Sequence, residues 1–338
     1  MYILSTCCIS PQDTFENNNG LLLRASILNG NRWSCVEPDY KTCITDLSLR
    51  RRMSRVIKMS VAAALRCVDR SGTKPDAIIT ATGLGCLADT ERFLDAIVEN
   101  ELQLNPTPFI QSTFNTAGAQ IAFMLGNNGY NNTYVHRGLS FESALLDAKM
   151  QIDEGVSNVL AGCFDETTDV SFNVMSRLGF WKEGTAAGEG ASFFMLGKQP
   201  PADKPEIQIA GLRFFNTDAD CTSIAMQLND CLASMPKSAD GIDLLILGNN
   251  GDPEYDKSYR RFISSHYPDK PCCSFKNLCG EYFTASGFAL YLAFCILTLQ
   301  TIPEGVVCQG SIPPEINSIL IYNHFKNINH SLIVVTRN

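Results

Sequence analysis

The chain has 338 residues, 45% of them hydrophobic and 18% charged, with a net charge of −8. That length buries a substantial core in one large α/β domain or two similar halves, and the balance excludes a small stapled module or a long disordered chain. The acidic excess argues against a nucleic-acid partner, which would need a concentrated basic surface.

Strands are expected at 2–5, 77–82, 134–136, 159–163 and 192–196, with helices at 54–70, 89–100 and 115–125 between them. After a polar, Pro-rich break at 198–205 the alternation resumes, with strands at 207–215, 244–247, 319–322 and 331–335 and helices at 221–235, 255–265 and 284–299. Each part opens with a strand, passes through a surface helix and a short buried strand, reaches one very apolar helix and closes on two strands joined by a turn. Such alternation implies a parallel or mixed sheet covered on both faces. Its repetition implies two stacked α/β halves, 1–200 and 205–338, with their buried helices packed between the sheets.

The N-terminal MYILSTCCIS has no basic residue and reads as a strand, not a signal peptide. The apolar run 283–300 is barely long enough to span a bilayer, contains Thr284, Ser286 and Gly287, and lacks basic flanks, so it reads as a buried core helix and no membrane partner is expected. Fourteen cysteines are scattered, and the adjacent pairs Cys7–Cys8 and Cys272–Cys273 lack C-x-x-C spacing, which points to reduced thiols and a cytoplasmic location. None of the four histidines (His136, His266, His324, His330) stands at zinc-ligand spacing from a Cys pair, so no metal or other cofactor is expected.

Chemistry is expected in the stretch 130–154, YNNTYVHRGLSFESALLDAKMQIDE. Thr133 to His136 alternate like a short strand, Gly138 breaks it, and Phe141, Ala144, Leu145, Ala148 and Ile152 share one helical face. A helix N-terminus at such a turn gathers unpaired N–H groups suited to a thiolate or an oxyanion. Yet no Cys lies between Cys86 and Cys163, and the turn's only hydroxyl, Ser140, reads as the helix cap. Cys163 reads as a buried thiol. Elsewhere, Arg50, Arg51, Arg52, Arg55 and Lys58 place five positive charges within nine residues. They would steer an acidic partner, or simply form a solvated first helical turn.

Five segments, in order, resemble the β-ketoacyl synthases, the condensing enzymes of the thiolase fold that extend acyl chains on acyl carrier protein. They are Pro108-Phe109-Ile110-Gln111-Ser112 with the run from Asn115 to Ala122, then Val159-Leu160-Ala161-Gly162, Gly188-Glu189-Gly190-Ala191, and Lys276 to Gly280. The resemblance spans nearly the full length and implies a thiolase-like fold, two pseudo-repeated α/β halves in a five-layered αβαβα arrangement. Its chemistry uses a Cys nucleophile at the buried helix's N-terminus and two His residues that assist decarboxylation. Matching SALLDA (143–148) puts the Cys position at Gly138; the first His falls on Asn250 and the second on Glu281, while Lys276 is retained. A glycine forms no thioester, an amide exchanges no proton near neutrality, and a carboxylate repels malonyl and enolate charge.

The family's F-G-G-T-N segment here reads Phe325-Lys326-Asn327-Ile328-Asn329, with Phe325 at the gating, substrate-facing position. The hydroxyls expected along a pantetheine tunnel are replaced by Gly251-Asp252-Pro253-Glu254. The pattern fits the chain-length-factor-like subunits, which lack the Cys and pair with an active ketosynthase. The expected function is a catalytically degenerate homologue acting with such a ketosynthase and an acyl carrier protein in fatty-acid, polyketide or polyene-type biosynthesis. Two alternatives stand beside it: an active acyltransferase using Ser140 with His136, and a structural homodimer with no acyl role. Pairing across the first sheet's edge is implied, with 112–125 as the contact, including Asn115 and Gln120; an ordinary core helix is the competing reading.

Overall fold

Why strands and helices alternate is visible in the packing of a computed structural model, which describes residues 1–16, 30–100, 102, 104–202, 204–217, 221–234, 241–303, 306 and 308–338. Strands β1 (Tyr2–Ile9), β2 (Ala77–Ala81), β3 (Asn131–Tyr134), β4 (Asn158–Asp165) and β5 (Gly190–Gly197) come first, with helices α1 (Leu47–Arg52), α2 (Arg55–Ser71), α3 (Leu87–Asn100), α4 (Pro106–Ser112), α5 (Thr116–Leu125), α6 (Ser140–Asp153) and α7 (Asp169–Arg177). Then come β6 (Ile207–Asn216), β7 (Leu244–Leu247), β8 (Cys272–Ser274), β9 (Cys308–Gln309), β10 (Ser318–Phe325) and β11 (Asn329–Arg337), with α8 (Cys221–Ala233), α9 (Asp256–His266), α10 (Lys276–Cys279) and α11 (Ser286–Leu299).

The strands follow the order β3-β2-β4-β5-β1-β6-β11-β10-β7-β8-β9. Two five-strand runs within it are copies. β2 is parallel to β3 and β4, and β5 is antiparallel to β4 and β1. In the same positions β7 is parallel to β8 and β10, and β11 is antiparallel to β10 and β6. The runs meet edge to edge at a single residue pair, Tyr2 opposite Gln208.

Period-two alternation then divides the apolar side chains among three cores. Ile78, Leu160 and Phe193 face α2 and α5, while Leu320, Leu332 and Val334 face α8 and α9. The intervening residues Ile79, Ala161, Phe194, Ile321, Ile333 and Val335 point into a central core with α6 and α11. α6 packs on β2, β3 and β4 and reaches β6; α11 packs on β10 and β11 and reaches β1 and β5. This is the expected five-layered arrangement, and α11 has apolar residues on all sides because sheets cover it on both sides.

The departures from sequence expectation have local causes. The strand expected at 134–136 lies at Asn131–Tyr134. Among the described residues it is an edge strand paired with β2 alone, so it needs no apolar alternation. The short β8, α7 and α10 were not expected. The helix expected from 115 begins at Thr116, after α4, which starts at Pro106 with the Asn105 side chain accepting from the Thr107 N–H at 2.9 Å. The helix expected to 235 is described to Ala233, and residue 235 lies outside the described residues. Cys273 is disulfide-bonded, which corrects the all-thiol reading at that residue. No helix among the described residues is long and apolar enough to cross a membrane.

Candidate functional site: a closed turn and a locked charge cluster

The C-terminal ends of β2 and β4 and the loop entering α11 are tied by one carboxylate. Asp165, at the end of β4, accepts from the Gly83 N–H (2.8 Å), the Thr82 hydroxyl (3.1 Å), the Thr284 N–H (2.9 Å) and the Thr284 hydroxyl (2.7 Å). Burial pushes its pKa up against these four bonds, which favour the carboxylate. Beside this knot, residues 135–139 carry the chain from β3 into α6 through a 3-10 turn at Arg137–Leu139, with Arg137 in the left-handed region at φ 51.

Ser140 is the first residue of α6, not its cap; that position is Leu139, which has no side-chain bond. The Ser140 hydroxyl accepts from the His136 N–H (2.8 Å) and donates to the Arg137 carbonyl (2.8 Å), so it pins the turn. His136 turns its ring toward α6, where Nδ1 meets the Ser143 hydroxyl at 2.9 Å. Its ring is thus engaged away from Ser140, which is itself fully buried. These bonds leave Ser140 without the base a serine nucleophile needs.

The sequence reading left an empty seat at Gly138, and the structure shows it filled. A Cβ at Gly138 would lie 2.7 Å from Phe325 Cβ and 2.9 Å from Asn329 Oδ1. Phe325 is braced by Phe283 (centroids 4.6 Å) and Phe180 (6.4 Å), and Lys326 Nζ lies 2.9 Å from the Phe180 ring centroid. Lys326 and Asn327, where the resembled segment has two glycines, keep left-handed φ values of 53° and 54°. The turn therefore retains a glycine-like path with side chains added.

Asn250, Lys276 and Glu281 do come together. Glu281 Oε2 accepts from Lys276 Nζ at 2.9 Å and from Asn250 Nδ2 at 2.8 Å, and Lys276 also donates to the His324 carbonyl at 3.2 Å. Glu281 is placed by main-chain bonds to Ala186 and Gly188, where the Gly188 and Gly280 backbones touch too closely for any side chain. Its charge is thus neutralised rather than presented to a substrate. Asp252 and Glu254, read as a bare acidic lining, are both paired with Lys182, at 2.9 and 3.2 Å.

The remaining histidines serve the framework. His324 Nε2 donates to the Tyr255 carbonyl, Nδ1 accepts from the Asn327 N–H, and burial pushes its pKa well down. His330 stacks on Phe215 and is lowered to about 4 by burial. A narrow cavity of about 40 Å³ remains beside Phe325, walled by Phe172, Phe180, Trp181 and Phe283 with Glu166 at its rim. That is far below the several hundred Å³ typical of a ligand pocket.

The outlying candidates separate. The Arg55 guanidinium clasps the buried Glu189 and also Glu37, an ion-pair set within the chain that leaves the side chain 35% exposed. Arg50 bonds the Ile44 carbonyl, while Arg51 and Arg52 are exposed. Asn115 is exposed and Gln120 half-buried beside an open apolar surface at the free edge of β3, with Phe109, Ile110, Phe114 and Phe123 all at least 49% exposed. Sequence reasoning missed Lys182 and Asn329, whose partners lie far away along the chain.

Residues 37–187 match the family of β-ketoacyl synthase N-terminal domains. The chain superposes on the ishigamide ketosynthase/chain length factor with a TM-score of 0.79 at 16% identity, covering 100% of this chain and 98% of that one. On the ketosynthase ApeO in complex with its chain length factor ApeC from Xenorhabdus doucetiae the values are 0.72 and 16%, with 100% and 98% covered. On a type II polyketide synthase acyl-carrier protein in complex with its ketosynthase, AntDE:AntF, they are 0.69 and 14%, with 99% and 98% covered. No curated protein matches the sequence. At these identities the superpositions establish the fold: the first part carries the β-ketoacyl synthase signature, and the whole chain has the ketosynthase fold.

Two outcomes follow. Gly138→Cys should destabilise the protein by about 1–3 kcal/mol, because Phe325 Cβ cannot swing away, and Phe325→Gly, which removes that atom, should restore part of the loss. Urea midpoints check this; an unperturbed Gly138→Cys variant would contradict the closed turn. Glu166 is raised to about 7, chiefly by burial, with Asp89 and Glu189 adding and Arg55 opposing. The folded state therefore holds its proton more tightly than the unfolded one, giving stability that is complete below about pH 4.5 and lost as pH rises through about 7. Glu166→Gln keeps the acceptor for the Ala88 N–H (3.0 Å). It should be about 3 kcal/mol more stable than the parent at about pH 8, and the gain should vanish near pH 4.5.

Proposed function

We propose that this chain, having the β-ketoacyl synthase fold, is a non-condensing subunit of the chain-length-factor kind that pairs with an active ketosynthase and works with an acyl carrier protein. The observation that carries the reading is the turn before α6, where Gly138 faces Phe325 and Asn329 with no room for a nucleophilic side chain. The lock of Asn250, Lys276 and Glu281 supports it, since no group there is free to move a proton. The halves 1–200 and 205–338 act as one scaffold in this reading, and Phe325 closes it against substrate.

Pairing is assigned to the β3 edge and the exposed face of α4 and α5. β3 ends the described sheet with one side unpaired, and the apolar residues flanking it form the kind of patch that a monomer rarely leaves open. Asn115 and Gln120 supply polar contacts at its rim. Arg51 and Arg52 would steer the acidic carrier or partner.

With acyl and malonyl carrier proteins, the purified chain alone should release no carbon dioxide, and 3-ketoacyl product from it would overturn the reading. Co-expressed with an intact ketosynthase it should elute as a heterodimer. Phe123→Asp, at a position 69% exposed, should abolish that peak while leaving the circular dichroism unchanged. Reversing Arg51 and Arg52 to Glu should slow carrier or partner association by roughly tenfold at low salt and by much less at high salt. An unchanged rate removes these arginines from the interface.

A further inference from the structure

The lock around Glu281 has a second side. Behind it opens a polar cavity of about 330 Å³, lined by Trp33, Asn249, Asp256, Ser274, Asn277 and Glu281, and distinct from the narrow aromatic one beside Phe325. This size suits a small ligand.

Its walls have an unbalanced donor and acceptor set. Glu281 is only 7% exposed and engages Lys276 and Asn250 through Oε2 alone; among the described residues Oε1 has no hydrogen-bond partner. Asn277 Oδ1 is likewise buried without a partner. Asp256 accepts from the Asn250 N–H at 3.2 Å, from the Gly251 N–H and from the Asn249 side chain, and has no ion-pair partner among the described residues. Lys276 is the lining's cation, and it is already neutralised by Glu281. The Asp256 charge therefore has no paired cation among the described residues, and Glu281 Oε1 is an acceptor there without a donor. Trp33 adds an aromatic surface whose N–H is already engaged by the Gly30 carbonyl at 3.1 Å.

We propose that this cavity binds a small primary alkylammonium ion, its N–H donors shared between Asp256 and Glu281 and its charge or alkyl chain resting on the Trp33 ring. An ammonium supplies three donors and one positive charge, matching what the walls lack. An indole beside carboxylates attracts such a cation more strongly than an isosteric alcohol. A bare alkali ion would meet the charge but would gain less from the ring and nothing from the room beyond the oxygens. The proposal is independent of the pairing and carrier roles above.

Trp33 reports on the site directly, because the chain has two tryptophans and Trp181→Phe leaves Trp33 as the only one. In that variant, titration with n-butylammonium chloride should change Trp33 emission saturably, while 1-butanol and potassium chloride at equal concentrations should not. Asp256→Asn keeps the acceptor for Asn250 and removes the charge, so it should weaken n-butylammonium binding at least roughly tenfold, a loss expected of a charge-assisted hydrogen bond. Absence of a saturable response to n-butylammonium, an equal response to potassium or 1-butanol, or unchanged affinity in a folded Asp256→Asn variant would each overturn the proposal. Should Asp256→Asn fail to fold, the three-ligand comparison in Trp181→Phe decides it alone.

Discussion

A helix that is apolar on every side must be covered on every side, and α11 sets that condition for the whole molecule. With its residues 286–293 and 295–297 buried, it needs one sheet above and another below. The strand order repeats because each half builds a sheet for the shared middle layer. Edge-to-edge joining through Tyr2 and Gln208 is too slight to hold two halves together. The hydrophobic layer containing α6 and α11 does that.

Within this frame the site changes from open to closed through pairs of compensating contacts. Glu281 would be an unfavourable charge in the interior, but Lys276 and Asn250 satisfy one of its oxygens. Removing either charge alone from such a pair typically costs about 3–5 kcal/mol, so the cluster is kept or lost together. Lys182 performs the same task for the buried Asp252 and the exposed Glu254. Phe325 and Asn329 fill the space in front of Gly138, and the left-handed path through Lys326 and Asn327 lets them do so.

Much of the fold was legible because its signals are local. The run from Phe288 to Leu299 is too apolar to be anything but a buried helix, and Gly72 in the left-handed region ends α2 where Ser71-Gly72 suggests a stop. β3 was misplaced because an edge strand made of NNTY carries little of the pattern that buried strands do. At the site, the positions of Gly138, Asn250, Lys276 and Glu281 could be found from motifs, but their state could not. Whether Glu281 repels a substrate or is neutralised depends on Lys276 turning back to it and on the Asn250 amide, thirty-one positions away, completing the bond set; whether Gly138 leaves a hole depends on Phe325. Arg55 is similar, since its pairing with Glu189, 134 positions away, cannot be read from the basic cluster it sits in.

The place of β1 has a bearing on biosynthesis. It leaves the ribosome long before its hydrogen-bonded neighbour β5, so residues 2–9 wait for residues 191–197. Its inner face then waits again for α11. The apolar segment YILSTCCI is thus exposed while the residues between it and its partners are made, a long interval for a strand with a high tendency to pair with others. A chaperone bound to the nascent β1 segment, or early arrival of a partner subunit, would bear directly on how much of this protein reaches its native state.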